Sequence, residues 1–515
     1  FEVLPEPWEI PLYFAAYLII PVIAFVLYPG VKKIIPWAGT LWRKVPARYW
    51  WWLLAAAIGG GLWYFFPHLM NGGQFLTTYL DRQSPGHLLW LLGTKRLYVV
   101  RLALLAGAGA FLLLQWRWRT ANFQTIRSWL YRFQAAATTE PRYVRWLAPL
   151  CGVLLTLLLF DPSFPFEERH YNHVIGTIND LTHGKPFLHE TTSQYGVLNL
   201  YALLATFRLF LFPVYLPLPI SYPSLSLILQ GSFLLFYFGL YFFLKRWLWF
   251  RGLALWGTLA VFASWYLLQS GPFLSPVEYP GTTPYRHGMF LAVMAALLWW
   301  QWQRRPGLAW WQRDLPLWVA AVSFWWSLDT GLLSVIALLG SLMVAIGTRY
   351  DLVWRERVRS FIGVVGRQIG YIYAIFVIIN GVNWLVIGSP PHWELLTNAL
   401  KFYETGIGKL PLPAWGIFEG YIIVYLVALL IIWRKIKARQ TVNLPLVFVT
   451  LYGIGALTYY VGNSAWNYLY PVTAPLVLVI LYLFWDHYLQ PQIVQPQGQP
   501  MAARVFIALS AIVAM

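Results

Sequence analysis

Residues 316–347 read PLWVAAVSFWWSLDTGLLSVIALLGSLMVAIG and contain one charged side chain, Asp329, near the middle. A helix needs about 20 residues to cross the hydrocarbon core of a bilayer, so this run is too long for one crossing. Arg304, Arg305 and Arg313 precede it, and Arg349, Arg355, Arg357 and Arg359 follow it. Basic residues collect on the cytoplasmic side of membrane proteins, so both flanks belong on that side and an even number of passes lies between them. The run predicts a hairpin of two short helices, with Asp329-Thr330-Gly331 at its outer apex.

The rest of the chain agrees with a membrane class. Of 515 residues, 59% are apolar, 19% aromatic and only 11% charged. A soluble domain is nearer a quarter charged. That shortage excludes a water-soluble enzyme, a disordered tail and a secreted disulfide scaffold. The 37 Lys and Arg against 19 Asp and Glu give +18, a surplus that in a soluble chain would suggest nucleic acid. Cys151 is the sole cysteine, so no intrachain disulfide or CxxC metal site can form. It lies in an apolar run and reads as a small hydrophobe. Both termini read as truncations.

Further spans are expected at 11–28, 50–66, 97–115, 146–160, 223–244, 252–270, 288–302, 369–388, 417–433, 444–461 and 468–485, with another beginning near 503. Residues 11–28 lack a basic leader and a small-residue cleavage site, so they read as a span. Loop 29–49 carries five bases, whereas residues 1–10 carry Glu2, Glu6 and Glu9 and no base. The N-terminus is therefore expected outside. The apolar run 196–212 would invert every later loop if it crossed. It is read as an amphipathic helix on the outer surface, with Arg208 snorkelling. The fold class expected is an all-α polytopic membrane protein of about 14 transmembrane helices, with amphipathic helices in the first large outer loop, 161–222. On this topology 26 of the 37 bases face the cytoplasm, and the charge is explained without nucleic acid. Three parts are expected: an extension of three spans at 1–145, a core at 146–485, and a cytoplasmic linker with the start of a further span at 486–515.

Chemistry is expected in the outer segment 161–196, DPSFPFEERHYNHVIGTINDLTHGKPFLHETTSQYG. It holds Asp161, Glu167, Glu168, His170, His173, Asp180, His183, His189 and Glu190, including four of the nine histidines. Ionisable groups beside a membrane default to a functional reading. Pro165 suits a first turn and Gly184 a stop, so roughly 165–182 should be helical, with Val174, Ile175, Ile178 and Leu181 on its apolar face. Glu167 and Glu168 would also complement the N-terminal dipole of that helix. Glu167, His170 and His173 follow at intervals of three, and the outer two diverge around a helix. A metal there needs ligands from elsewhere. A divalent cation, Mg or Mn, bridging a carboxylate and a substrate phosphate is the better form of a metal reading.

Elsewhere on the outer side, Arg286 can clamp a phosphate in bidentate fashion or snorkel at the interface. Asp329 is either a helix-capping acid or a wall of the same cavity. The Gly- and Pro-bearing loop 389–416 suits a lid. Asn463 and Asn467, in GNSAWNYLYP, are placed to bind sugar hydroxyls. No Walker loop, HExxH or GxSxG with partners is present.

A span ending in an acid, an outer loop with a second acidic cluster and a His/Tyr-bearing helix, then -GKPFL- and -SQYGVL-, resembles the polyprenyl-phosphate-dependent GT-C glycosyltransferases. That superfamily includes protein O-mannosyltransferases and aminoarabinose transferases. The resemblance covers roughly 146–485. It implies a base at the acidic position of the first outer loop, for which Asp161, Glu167 and Glu168 compete and Glu168 and Asp161 rank first. It also implies a substrate-binding set here matched to His170, His173, Gln194, Tyr195, Arg286, Asp329, Asn463 and Asn467. The expected partners are a polyprenyl-phosphate-linked sugar, a lipid, glycan or protein acceptor, and the bilayer. The expected location is a bacterial plasma (inner) membrane, with the site on the outer face. A lipid-linked polysaccharide ligase or polymerase uses similar donors and stands as the alternative. A transporter or flippase is a third reading, which predicts charges deep in spans.

Overall fold

The computed structural model describes residues 148–153, 168–183, 185–191, 196–211, 222–248, 251–267, 284–302, 310–395, 417–462 and 470–486. All of them lie within one compact unit. Among these residues the architecture is helical, apart from an isolated parallel bridge between Phe187 and Thr191.

The helices in chain order are α1 (Glu168–Thr182), α2 (Leu198–Leu211), α3 (Tyr222–Leu248), α4 (Arg251–Leu267), α5 (Pro284–His287), α6 (Met289–Trp302) and α7 (Trp310–Arg313). After them come α8 (Leu315–Trp326), α9 (Leu328–Gly347), α10 (Trp354–Ile387), α11 (Ile417–Lys437), α12 (Leu444–Gly462) and α13 (Tyr470–Phe484). By length and composition, α9 and the stretch Trp354–Leu385 of α10 can each cross a membrane.

The hairpin of 316–347 is present, but its arms are unequal. The first arm, α8, has 12 residues and the second, α9, has 20. At 1.5 Å per residue, α8 rises about 18 Å, too little to cross a hydrocarbon core. Asp314 precedes it and Pro316 sits in its first turn, both start signals. Asp314 also anchors this end to α10: it lies 3.2 Å from Arg367 Nε and accepts the Tyr371 hydroxyl at 2.7 Å. The two arms join at Ser327, which is extended at φ −148°, ψ 113°.

Close packing of the arms depends on Gly331. A side chain there would press on the Ser323 carbonyl and the Phe324 backbone. Ser334 and Ser341, buried on the same helix, return their hydroxyls to the carbonyls of Thr330 and Ala337. That leaves the packed face apolar to its neighbours.

Helix α9 packs against α8, α10, α6 and α12; α12 then packs on α13 and α11, and α13 on α4. The larger core runs through these helices. In it Phe290 of α6 stacks on Tyr452 of α12 at 4.8 Å, and Trp247 of α3 on Tyr482 of α13 at 4.8 Å. Asn443 closes the end of α12 away from the apex. Its side-chain oxygen accepts the Leu446 N–H at 2.9 Å and the Trp247 indole N–H at 3.0 Å. Earlier in the chain, the Tyr237 hydroxyl donates to the carbonyl of Ala148 at 3.0 Å.

A smaller core lies near the apex. Val174 and Ile178 of α1, Leu200 and Leu203 of α2, Trp325 of α8 and Ile375 and Ile379 of α10 are buried there, with Ile175 and Leu181 against them. The apolar face expected for the helix after Pro165 is therefore the face that packs. Helix α1 is described over Glu168–Thr182, within the helix expected at 165–182; its expected start at 165 lies outside the described residues. Within the run 196–212, α2 is helical over Leu198–Leu211 and is seated on α1 and α8.

One span boundary is corrected. The sequence placed a crossing at 369–388 and left the bases before it in a loop, but α10 is continuous from Trp354. Arg355, Arg357, Arg359 and Arg367 are thus on the helix. Hydropathy hides this start because four arginines fall in its first four turns. The signal that specifies it is Glu356, whose carboxylate turns back to accept the Val353 N–H at 3.2 Å. The helix ends at Gly388, whose φ of 80° is the left-handed cap that glycine adopts without steric cost.

Candidate functional site at the hairpin apex

The apex gathers polar side chains from three separate parts of the chain. Arg286, on the one-turn helix α5, forms an ion pair with Asp329 in the first turn of α9. The other carboxylate oxygen of Asp329 accepts the Ser327 hydroxyl at 2.6 Å and the Thr330 N–H at 2.7 Å. Tyr459, near the end of α12, closes the pair. Its hydroxyl accepts from Arg286 at 3.4 Å, and the guanidinium carbon lies 5.7 Å from its ring centroid. The buried imidazole of His287 meets the same ring edge-on at 5.6 Å.

Local packing sets this geometry. The Trp326 indole donates to the Tyr285 carbonyl at 2.6 Å, and the two rings lie 5.1 Å apart, so α5 is fixed to the hairpin one residue before Arg286. The Tyr285 hydroxyl donates to the Asn199 carbonyl at 2.6 Å, tying α5 to α2. Val197 N–H donates to the Trp325 carbonyl at 3.0 Å. A side chain at Gly196 would strike the Trp326 carbonyl, so only glycine lets the chain at 196–197 lie on the apex.

The Arg286 side chain is 11% exposed and that of Asp329 35%. Arg286 is therefore held inside the protein on Asp329 and does not snorkel to an interface. Asp329 receives a backbone N–H of its own helix, as a capping acid would, and is also the counter-ion of Arg286. A guanidinium held on one side by a carboxylate and flanked by tyrosine and histidine is a fixed cationic centre, able to orient an anion without reorganising.

A second polar junction lies beside the smaller core. The loop 185–191 folds back so that Leu188 is fully buried at a left-handed φ of 56°. Its carbonyl accepts the His392 N–H at 2.7 Å. The imidazoles of His189 and His392 meet edge to face at 4.6 Å, and His392 Nδ1 lies 3.0 Å from Glu394. Lys185 donates to Asp180 at 2.8 Å, a bond that raises its ammonium pKa above the ordinary value. The residues that open loop 389–416 are therefore clasped to the -GKPFLHE- turn.

Of the residues singled out in the sequence, Arg286 and Asp329 are brought into contact. Glu168 opens α1, and His170 and His173 follow on its first two turns. Asp161, Glu167, Gln194, Tyr195, Asn463 and Asn467 lie outside the described residues. Among the described residues, no group of three or more His, Cys, Asp or Glu is arranged to hold a metal. Sequence reasoning missed Tyr459, Ser327 and Tyr285. A signal was available: on the expected topology Arg286, Asp329 and the end of α12 share one side, where a lone base and a lone acid would find each other.

Set against known proteins, the chain matches no family model, no curated protein and no solved structure.

Proposed function

We propose that the chain is a multi-pass membrane glycosyltransferase. It transfers a sugar from a polyprenyl-phosphate donor to a lipid, glycan or protein acceptor at the outer face. The observation that carries this reading is the Arg286–Asp329 pair at the hairpin apex, held by Tyr459 and placed against the chain that follows -SQY-. Transfer from a lipid phosphate makes a phosphate leaving group, and a preorganised cation beside the departing oxygen lowers that barrier. Arg286 supplies that charge, and Asp329 fixes its orientation. A carboxylate of the first outer loop, Asp161, Glu167 or Glu168, takes the acceptor proton as bond formation proceeds. His170 and His173 share the α1 helix with Glu168 and supply further donors to the phosphate. A Mg or Mn ion bridging that loop and the donor phosphate is compatible with the same chemistry.

The test is transfer activity in membranes for Asp161→Asn, Glu167→Gln, Glu168→Gln and Arg286→Gln, each at verified expression. One acid substitution and R286Q should each reduce transfer at least about 100-fold, the ordinary scale for losing a general base or an anion-stabilising donor. Full activity in all four variants removes the assignment. Mass spectrometry of co-purified lipid is the second arm. A polyprenyl-phosphate sugar supports this donor class, and a polyprenyl-diphosphate glycan shifts the reading to a polysaccharide ligase or polymerase.

A further inference from the structure

At the end of α9 opposite the apex, two arginines from separate elements converge on one tyrosine. The guanidinium carbon of Arg357, in the first turn of α10, lies 5.6 Å from the ring centroid of Tyr350, and that of Arg439, just beyond α11, lies 5.0 Å from it. The ring is fixed, since the Tyr350 hydroxyl donates to the Ile436 carbonyl at 2.8 Å. Arg357 is fixed too, through its Nε to the Leu352 carbonyl at 3.0 Å and an amino group to the Gly347 carbonyl at 3.1 Å.

Each nearby acid has a closer partner, although Asp351 also lies within the field of Arg357. Asp351 pairs with Arg349 at 3.0 Å, which holds its carboxyl below the ordinary range; Glu356 accepts the Val353 N–H, and Asp486 pairs with Lys435 at 2.6 Å. Among the described residues neither Arg357 nor Arg439 has a carboxylate within salt-bridge distance, and Arg355 and Arg359 on α10 and Arg434 and Lys437 on α11 add basic residues to the same two segments.

The backbone at Arg439 is the second observation. Helix α11 ends there with Arg439 N–H on the Ile436 carbonyl and Gln440 N–H on the Lys435 carbonyl, and Arg439 itself sits at a left-handed φ of 55°. Glycine or asparagine suits this position, and any other side chain is strained in it. This strained position carries a long cationic side chain, whose guanidinium lies on Tyr350. Trp354 and Val353, both exposed, flank the cluster with the apolar surface that an interfacial site uses.

We infer that Arg357 and Arg439, gathered on Tyr350, bind the phosphate of an anionic phospholipid headgroup, with Trp354 and Val353 against its acyl chains. Basic pockets between helices at the membrane surface recognise headgroups in this way. The site lies at the far end of α9 from Arg286 and stands independently of the transfer reaction.

The experiment is native mass spectrometry of the full chain in detergent, titrated in parallel with phosphatidylglycerol and phosphatidylcholine of equal acyl length. The wild type should retain phosphatidylglycerol in preference, and raising the salt should weaken that preference. Arg439→Gly should reduce phosphatidylglycerol retention roughly fivefold, the scale of one arginine at an anionic surface. It should leave phosphatidylcholine retention unchanged. Because glycine suits a left-handed φ, the melting temperature should hold or rise, which separates lost binding from lost folding. Arg357→Gln with Arg439→Gly should abolish the preference. Equal retention of the two lipids by the wild type, or undiminished phosphatidylglycerol retention by R439G, overturns the inference.

Discussion

Replacing Asp329 by Asn keeps the shape of the side chain and removes its charge. Breaking a fully buried ion pair by neutralising one partner costs about 3–5 kcal/mol, because the other charge is left without compensation. Here the group that loses its Asp329 counter-ion would be Arg286, 11% exposed, while the site of the lost charge is 35% exposed. Partial access to water reduces the penalty, and D329N is expected to cost about 2–3 kcal/mol. Arg286→Gln strands Asp329, which is better solvated and keeps donors from Ser327 and Thr330 at 2.6 and 2.7 Å. That change is expected to cost about 1–2 kcal/mol. With both replaced no charge is stranded, so the double variant should be no less stable than D329N alone, a coupling of about 2 kcal/mol. Steric trapping or SDS titration of the purified chain measures all four corners of the cycle. Losses that add to within about 0.5 kcal/mol would show that the two groups do not act as a pair, and the site built on them would fall. The double variant also separates folding from function: it should be no less stable than D329N and still fail to transfer sugar.

Three further comparisons test the frame that carries the site. Gly331→Ala places a methyl group against the Ser323 carbonyl and the Phe324 backbone. It should cost about 3 kcal/mol or prevent folding, whereas Gly381→Ala on α10, where a side chain meets open space, should be neutral or stabilise by about 0.5–1 kcal/mol. A thermal-shift comparison of the pair checks this, and equal effects would mean the hairpin arms are not packed as described. Asn443→Ala removes the acceptor of both the Leu446 N–H and the Trp247 indole. It should lower stability by about 2 kcal/mol, with Asn443→Asp much milder; similar losses in both would deny the cap. Trp325→Phe deletes the indole bond to the Ile372 carbonyl, 2.9 Å long, and should cost about 1–2 kcal/mol by the same melt; an unchanged melt would refute that contact.

The hairpin was legible because two local signals agree. An apolar run too long for one crossing is bounded by arginines on both sides, and a lone Asp with a glycine marks its midpoint. The apolar face of α1 was legible from spacing alone, and Val174 and Ile178 are buried as that spacing requires. The start of α10 was not, because a helix continues through a basic first turn whenever its ends are capped, and hydropathy does not register caps. Nor was the choice at Arg286. A buried ion pair and interfacial snorkelling use the same residue in the same loop, and only the position of Asp329, 43 residues on, tells them apart. Tyr459 carried no local mark of its own.

What the sequence by itself determined is the helical class, the hairpin and the sharing of one side by Arg286 and Asp329. Each of these follows from periodicity, charge and turn residues within a short window. The tertiary structure decided that the two charges meet, that Tyr459 and His287 close around them, and that Arg357 and Arg439 converge on Tyr350. Contacts between residues tens to hundreds of positions apart depend on how helices cross, and helix crossing is set by close packing at residues such as Gly331 and Gly196. A composition or a hydropathy pattern contains no record of that packing.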